Sequence, residues 1–127
     1  MKELRLSRLE REIMEILWKR GEASIREIQE AFPAKKRPSY ATAQTTVYRL
    51  EAKDALRRVR KLGNFHIFAP VISRDAAQRS FIEELLTLFG GESRPIVAHL
   101  ISAGKLTLDD VEYAEKMLKK LRKEDKA

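Results

Sequence analysis

Apolar positions recur along this chain with two different periods, and the change of period divides it into elements. From Ser7 the residues Leu9, Ile13, Ile16 and Leu17 fall at helical spacing, with Met14 and Trp18 beside them. Ser7-Arg8-Leu9-Glu10 has the S-x-x-E capping pattern, which satisfies the first free amides of a helix, and Gly21 supplies its stop. A second capping pattern, Ser24-Ile25-Arg26-Glu27, opens a shorter helix that would bury Ile25, Ile28, Ala31 and Phe32 and end at Pro33. After a loop ending in Pro38, Ser39 can cap a third helix from about Tyr40 to Lys53, with Ala43, Val47 and Leu50 as its core stripe.

The period then shortens. Leu56–Leu62 and Asn64–Ala69 read as two strands, and Gly63-Asn64 between them is a two-residue hairpin signal. Three helices and a hairpin, in that order, form a winged helix-turn-helix, in which one helix is placed to enter the major groove of DNA. Beyond Ser73, helical spacing returns over about Arg74–Phe89, Pro95–Ala103 and Leu108–Glu124, and the end of the chain, "KKLRKEDKA", is expected to fray. The fold class is therefore mainly α with a small β-hairpin wing: a winged helix-turn-helix over residues 1–72 and a helical dimerisation region over residues 73–127. About fifty residues of short helix bury too little surface to form a core alone, so the second region asks for a partner surface, most simply a second copy. Its apolar positions Phe81, Leu85, Leu88, Val111, Leu118 and Leu121 are the dimerisation candidates.

Charge sharpens this division. Between Lys35 and Lys61 there are nine basic and two acidic residues, a surplus equal to the net charge of +7 carried by all 127 residues. Residues 71–127 hold ten of each sign and are neutral. The positive field therefore lies on the third helix, the loop before it and the hairpin after it. A polyanion is the implied partner, and nucleic acid suits it better than an anionic membrane surface. Thr42, Gln44 and Thr45 are small or amide-bearing side chains on that helix, of a kind that can approach base edges. Arg49 and Lys53 sit four residues apart and suit phosphates, or else pair with Glu51 or Asp54 nearby. In a strand, Arg58 and Arg60 share one face while Arg57 and Lys61 share the other. Tyr48 can hydrogen-bond a phosphate or pack on the wing, and Asn64 is first a turn residue.

Other chemistry finds little support. With no cysteine there is no disulfide, thiolate metal site or cysteine nucleophile, which suits a reducing cytoplasm. No apolar run approaches the length of a membrane span, and the N-terminus lacks the apolar core of a signal peptide. His66 and His99 stand without a carboxylate cluster, so no metal and no cofactor is expected. No nucleotide-binding glycine motif, zinc-hydrolase motif or nucleophile elbow is present, so the chain does not read as an enzyme.

Three segments together resemble a known family: "LEREIMEILWKRGEASIREI", "TAQTTVYRLEAKDALRRVRKLGNFHIFAP" and "VAHLISAGKLTLDDVEYAEKML". They are similar to the penicillinase and methicillin-resistance repressors, a family that also includes copper-responsive repressors (BlaI/MecI/CopY type). The similarity extends from about Leu4 to Lys123. It implies a cytoplasmic bacterial repressor that binds a palindromic operator as a homodimer. It also implies base contacts from Thr42, Gln44 and Thr45, and it favours DNA contact for Ser39 and Arg49. Lys53, Arg58, Arg60 and Lys61 join Ser39 and Arg49 as backbone-contacting candidates on charge and position, although the wing cations cannot all reach DNA at once. In the penicillinase branch a regulatory protease cuts an Asn-Phe bond, and the aligned pair here is His99-Leu100. The copper branch uses cysteine-rich metal sites, for which this chain has no ligands. Two other classes compete with an operator-binding repressor: a sequence-tolerant architectural or RNA-binding module, and a winged-helix module that binds an acidic protein.

Overall fold

A computed structural model describes residues 5–126 of the chain. The described residues form six α-helices and one antiparallel hairpin: α1 (Arg8–Arg20), α2 (Ile25–Ala31), α3 (Tyr40–Ala52), β1 (Leu56–Leu62), β2 (Phe65–Pro70), α4 (Arg74–Leu88), α5 (Arg94–Ser102) and α6 (Leu108–Lys126). The order is that of a winged helix followed by a helical region, as the hydrophobic periods predict. By compactness the chain divides into one unit through Glu83 and another from Glu84, so α4 runs from one into the other.

In the first unit, each of the first three helices starts where a serine can cap it. Ser7 accepts the Glu10 amide at 3.2 Å while Glu10 accepts the Ser7 amide at 2.8 Å, and Ser24 and Glu27 repeat the exchange at 3.2 and 3.0 Å. Ser39 accepts the Thr42 amide at 3.1 Å. The apolar stripes of the three helices meet in a core of Ile13, Met14, Leu17, Ile25, Ile28, Ala43, Val47 and Leu50, closed from the hairpin side by Leu56 and Phe68. The predicted loop before α3 contains one 3-10 turn, Ala34–Lys36. Arg37 then folds back onto the free carbonyls at the end of α2, with Phe32 O at 3.0 Å and Glu30 O at 3.1 Å. One cation of the basic cluster is thereby a C-terminal cap.

Two features of the hairpin depart from simple alternation. Ala23 and Phe68 exchange backbone hydrogen bonds at 3.0 and 2.9 Å, so the segment between α1 and α2 forms a bridge to β2. A bulge falls at Val59, because Arg58 lies opposite Phe68 whereas Arg60 lies opposite Ile67. One extra residue on β1 inverts the faces beyond it. Arg58 therefore shares a face with Lys61, and Arg57 with Arg60, the reverse of the pairing expected for an unbroken strand.

Trp18 Nε1 donates to the Ile72 carbonyl at 3.0 Å, and Arg74 bonds Glu15 at 2.9 Å while lying over the Trp18 ring. These contacts seat the first turns of α4 on α1, beside an open apolar cavity of about 410 Å³ bordered by Trp18, Phe81 and Ile82.

The second unit comprises the end of α4 with α5 and α6. None of its described residues is buried. Helix α6 continues to Lys126, past the point where fraying was expected. Its last turns are rich in lysine and arginine, which are good helix formers and favourably placed against the negative end of a helix dipole.

Candidate nucleic-acid interface

Helix α3 presents three stripes. Ala43, Thr46, Val47 and Leu50 are buried against the core. Thr46 belongs to this stripe because its hydroxyl donates to the Thr42 carbonyl at 2.7 Å, a back-bond that lets a polar side chain face inward. Tyr40, Gln44 and Tyr48, four residues apart, look toward the wing across a small cleft of about 90 Å³ that Asn64, Phe65 and His66 also line. Gln44 Nε2 donates to the Tyr48 hydroxyl at 3.2 Å. Ala41, Thr42, Thr45 and Arg49 form the third stripe, which borders an open hollow of about 320 Å³ with the edge of Thr46.

The three predicted base-contacting residues are thus split between two stripes. Thr45 is exposed, and its hydroxyl makes no hydrogen bond among the described residues. Thr42 is also exposed; its hydroxyl oxygen accepts a 2.9 Å bond from Ser39, which leaves its own proton to donate outward. Gln44 is half-buried and turned to the wing, so its carboxamide faces a ligand only in company with Tyr40 and Tyr48. Ser39 is engaged as the helix cap.

The predicted backbone-contacting cations also separate. Arg49 and Lys61 are exposed and have no ion-pair partner among the described residues. Lys53 reaches back across the fold instead of standing beside Arg49: its ammonium lies 2.9 Å from Glu10 Oε1 and 2.7 Å from the Arg5 carbonyl. Burial pushes the Glu10 carboxyl upward, but the Lys53 ammonium and the Ser7 amide and hydroxyl more than offset it, leaving the group below its ordinary value. Arg58 braces the wing on α3. It grips both carboxylate oxygens of Glu51 at 2.8 and 3.2 Å and lies over the Tyr48 and Phe68 rings at 5.3 and 5.6 Å. Glu51 holds the Arg58 guanidinium above its ordinary value. Arg60 pairs with Glu22. Tyr48, open between two roles in the sequence, packs under Arg58 of the wing.

The dimerisation candidates are solvent-facing or half-buried. Phe81, Leu88, Val111, Leu118 and Leu121 are exposed, Leu88 to 79% and Leu118 to 66%, and Leu85 is half-buried. His99 and Leu100 lie on the exposed surface of α5, with the His99 carbonyl accepting the Ala103 amide at 2.9 Å. Among the described residues no group of three or more histidines and carboxylates converges as a metal site, and no helix is long and apolar enough to cross a membrane.

Tyr40 also borders the wing-side cleft, though the sequence marks it only as the start of α3. Its spacing of four from Gln44 and eight from Tyr48 marks one helical stripe, but nothing local shows that this stripe faces the wing. The braces on Lys53 and Arg58 were equally hidden, because their partners Glu10 and Glu51 are chosen by tertiary packing.

A family model for the penicillinase repressor matches residues 6–120. Two curated relatives are described as transcriptional regulator BlaI from Mycobacterium tuberculosis, one from strain CDC 1551 / Oshkosh and one from strain ATCC 25618 / H37Rv. Each is 38% identical over 72 residues, which is 56% of this chain and 51% of the relative. The chain thus spans about half the length of the curated relatives it matches. Among solved structures, the solution structure of the DNA-binding domain of the repressor BlaI superposes with a TM-score of 0.52 at 28% identity, covering 59% of this chain and 90% of that domain.

Proposed function

Because this chain belongs to the penicillinase repressor family, we propose that it is a DNA-binding transcriptional repressor, working in the cytoplasm as a homodimer on a palindromic operator. The observation that carries the reading is the outer stripe of α3. Ala41, Thr42, Thr45 and Arg49 line an open hollow, and the basic hairpin stands beside the same helix. Thr42 and Thr45 supply hydroxyls and Ala41 a methyl group for base edges, with Gln44 joining from the wing side. Arg49 and Lys61 are the cations ready for phosphates. Lys53, Arg58 and Arg60 are paired in the free protein, so they contribute to backbone contact chiefly by holding α3 and the wing in place.

Residues 1–72 are then the DNA-binding domain and 73–127 the dimerisation domain. Three helices without a buried residue among those described support a second copy as their partner, since a large exposed apolar surface is costly on a monomer. Two-fold symmetry would set the recognition helices roughly 34–36 Å apart, or a multiple of that, on successive major grooves. Occupancy of such a site would exclude polymerase. A regulatory protease acting at His99-Leu100 would meet a bond inside α5, so cleavage requires that helix to open locally.

A competition assay tests the reading. A duplex from upstream of the chain's own gene should displace a labelled copy of itself far better than random duplex does. Equal displacement would favour a sequence-tolerant module, and failure to bind any duplex at low salt would favour a protein-interaction module.

A further inference from the structure

The open cavity of about 410 Å³ between α1 and α4 is built on two helical stripes within the first unit. Arg11, Glu15 and Trp18, at helical spacing, supply one wall from α1. Ala77, Gln78, Phe81 and Ile82 supply the other from α4. Trp18 spends its indole N–H on the Ile72 carbonyl at 3.0 Å, so it offers the cavity carbon surface alone. Phe81 and Ile82 are exposed, so their apolar surface is open to a ligand instead of being consumed by the core. The charges at the rim are not balanced. Glu15 is neutralised by Arg74 at 2.9 Å. Arg11 has no carboxylate partner among the described residues and is held over the Phe81 ring, 5.3 Å from its centre. The Gln78 carboxamide makes no hydrogen bond among the described residues. The cavity thus combines apolar walls with one uncompensated positive charge and one free amide, at a volume suited to a small organic ligand.

We propose that this cavity binds a small-molecule effector, an aromatic monocarboxylate whose ring lies between Trp18 and Phe81 and whose carboxylate is taken by Arg11 and Gln78. Charge complementarity selects the class. A carboxylate gains a charge-assisted hydrogen bond from the guanidinium, which a neutral isostere forgoes. A cation would meet Arg11 unscreened and find Glu15 already engaged by Arg74. A dianion would find one available cation for two charges. The ligand site stands on the cavity itself, whereas its effect on DNA rests on the DNA-binding reading above. Helix α4 is seated on α1 by the Trp18–Ile72 and Glu15–Arg74 contacts, and it continues past Glu83 into the proposed dimerisation region. A ligand packed into that seat acts at the root of α4, and so on the spacing of two readers in a dimer, without touching α3. Ligand and operator then alter each other's affinity by one common factor. Such a site provides a route to induction that needs no cut at His99-Leu100.

Trp18 is the chain's only tryptophan, so its emission reports occupancy of the cavity in the full chain. The probe is para-tert-butylbenzoate, with the neutral para-tert-butylbenzyl alcohol and the cationic para-tert-butylbenzylamine as isosteres. The acid should shift Trp18 emission saturably, with a Kd of about 1 mM or below. It should bind about fivefold more tightly than the alcohol, and the amine should bind more weakly still. Arg11→Gln should bring acid and alcohol to equal affinity with the melting temperature unchanged. Ala77→Leu, which fills the cavity with another good helix former, should abolish binding of both. On a duplex recovered by selection from random DNA, saturating acid should change wild-type affinity by about fivefold or more and leave the Ala77→Leu variant unaffected. Equal affinity for acid, alcohol and amine, or equal binding of the acid by wild type and Ala77→Leu, overturns the site. Binding that leaves operator affinity within about twofold overturns the effector role. Trp18 emission that responds to protein concentration and not to the acid overturns the site in favour of a second copy covering the cavity. If the acid binds but no duplex does at low salt, the DNA-binding reading has failed and the effector role with it, while the carboxylate site stands.

Discussion

Thr45 and Thr46 are neighbours in the chain and fall on different stripes of α3. Thr46 turns inward and spends its hydroxyl on the Thr42 carbonyl, while Thr45 points out with its hydroxyl unused among the described residues. That contrast gives the single-residue test of specificity. Thr45→Ala should cost about 1–2 kcal/mol on a selected site and leave random-duplex binding unchanged; equal losses on both would remove Thr45 from base reading. Glu10 is the other residue whose role is decided by surroundings. It is 3% exposed, closes the cap of α1 and holds Lys53 at the end of α3. Its lowered carboxyl contributes stability that is present above the ordinary value of 4.5 and is lost as pH falls through the lowered one. Glu27, held down by the Ser24 amide, acts in the same direction. Glu10→Gln should therefore lower stability by about 1–2 kcal/mol at neutral pH, the range of a lost cap and a partly exposed ion pair. In thermal unfolding followed across pH, the variant and wild-type curves should converge below pH 4.5. Parallel curves would mean that the pair with Lys53 is idle. The cap was legible from the S-x-x-E spacing; the Lys53 pair was not, because 43 residues separate its partners.

At the scale of elements, the hydrophobic periods place all six helices and the hairpin, because caps, glycines and prolines punctuate them locally. They miss what depends on neighbours. In "RRVRK" only Val59 is apolar, so nothing in the strand marks the bulge there, and the facial pairing of the four cations inverts as a result. Two wing cations now have distinct expected effects. Lys61→Ala should flatten the dependence of log affinity on log salt by about 0.9, the contribution of one phosphate contact. Arg58→Ala should remove the Glu51 grip and the stacking on Tyr48, loosening the wing on α3. Its signature should be weaker binding together with faster amide exchange in β1, and with a smaller change of salt slope than for Lys61→Ala. An equal fall in slope for both, with exchange unaltered, would make Arg58 a plain phosphate contact.

For the whole molecule, the two units differ in kind. The first closes a core around Ile13, Leu17, Ile28, Leu50 and Phe68; the second buries none of its described residues and, with eight basic and eight acidic residues over 84–127, carries no net charge. The proposed dimer would give that second unit a reason to be apolar and would supply the two-fold symmetry that a palindrome needs. Leu118→Asp with Leu121→Asp should yield a monomer in sedimentation, with operator affinity reduced roughly hundredfold through loss of the second half-site and the unfolding of the first unit unchanged. A variant that stays dimeric would move the interface elsewhere. On the proposed function, one chain reads sequence and its dimer reads it twice. Binding selection from random duplex DNA with the full chain tests both parts at once. The expected result is an enriched motif with two-fold symmetry and half-sites about one helical turn, or a multiple of it, apart. Recovery of duplexes with no shared motif, or of a single unpaired half-site, would contradict it.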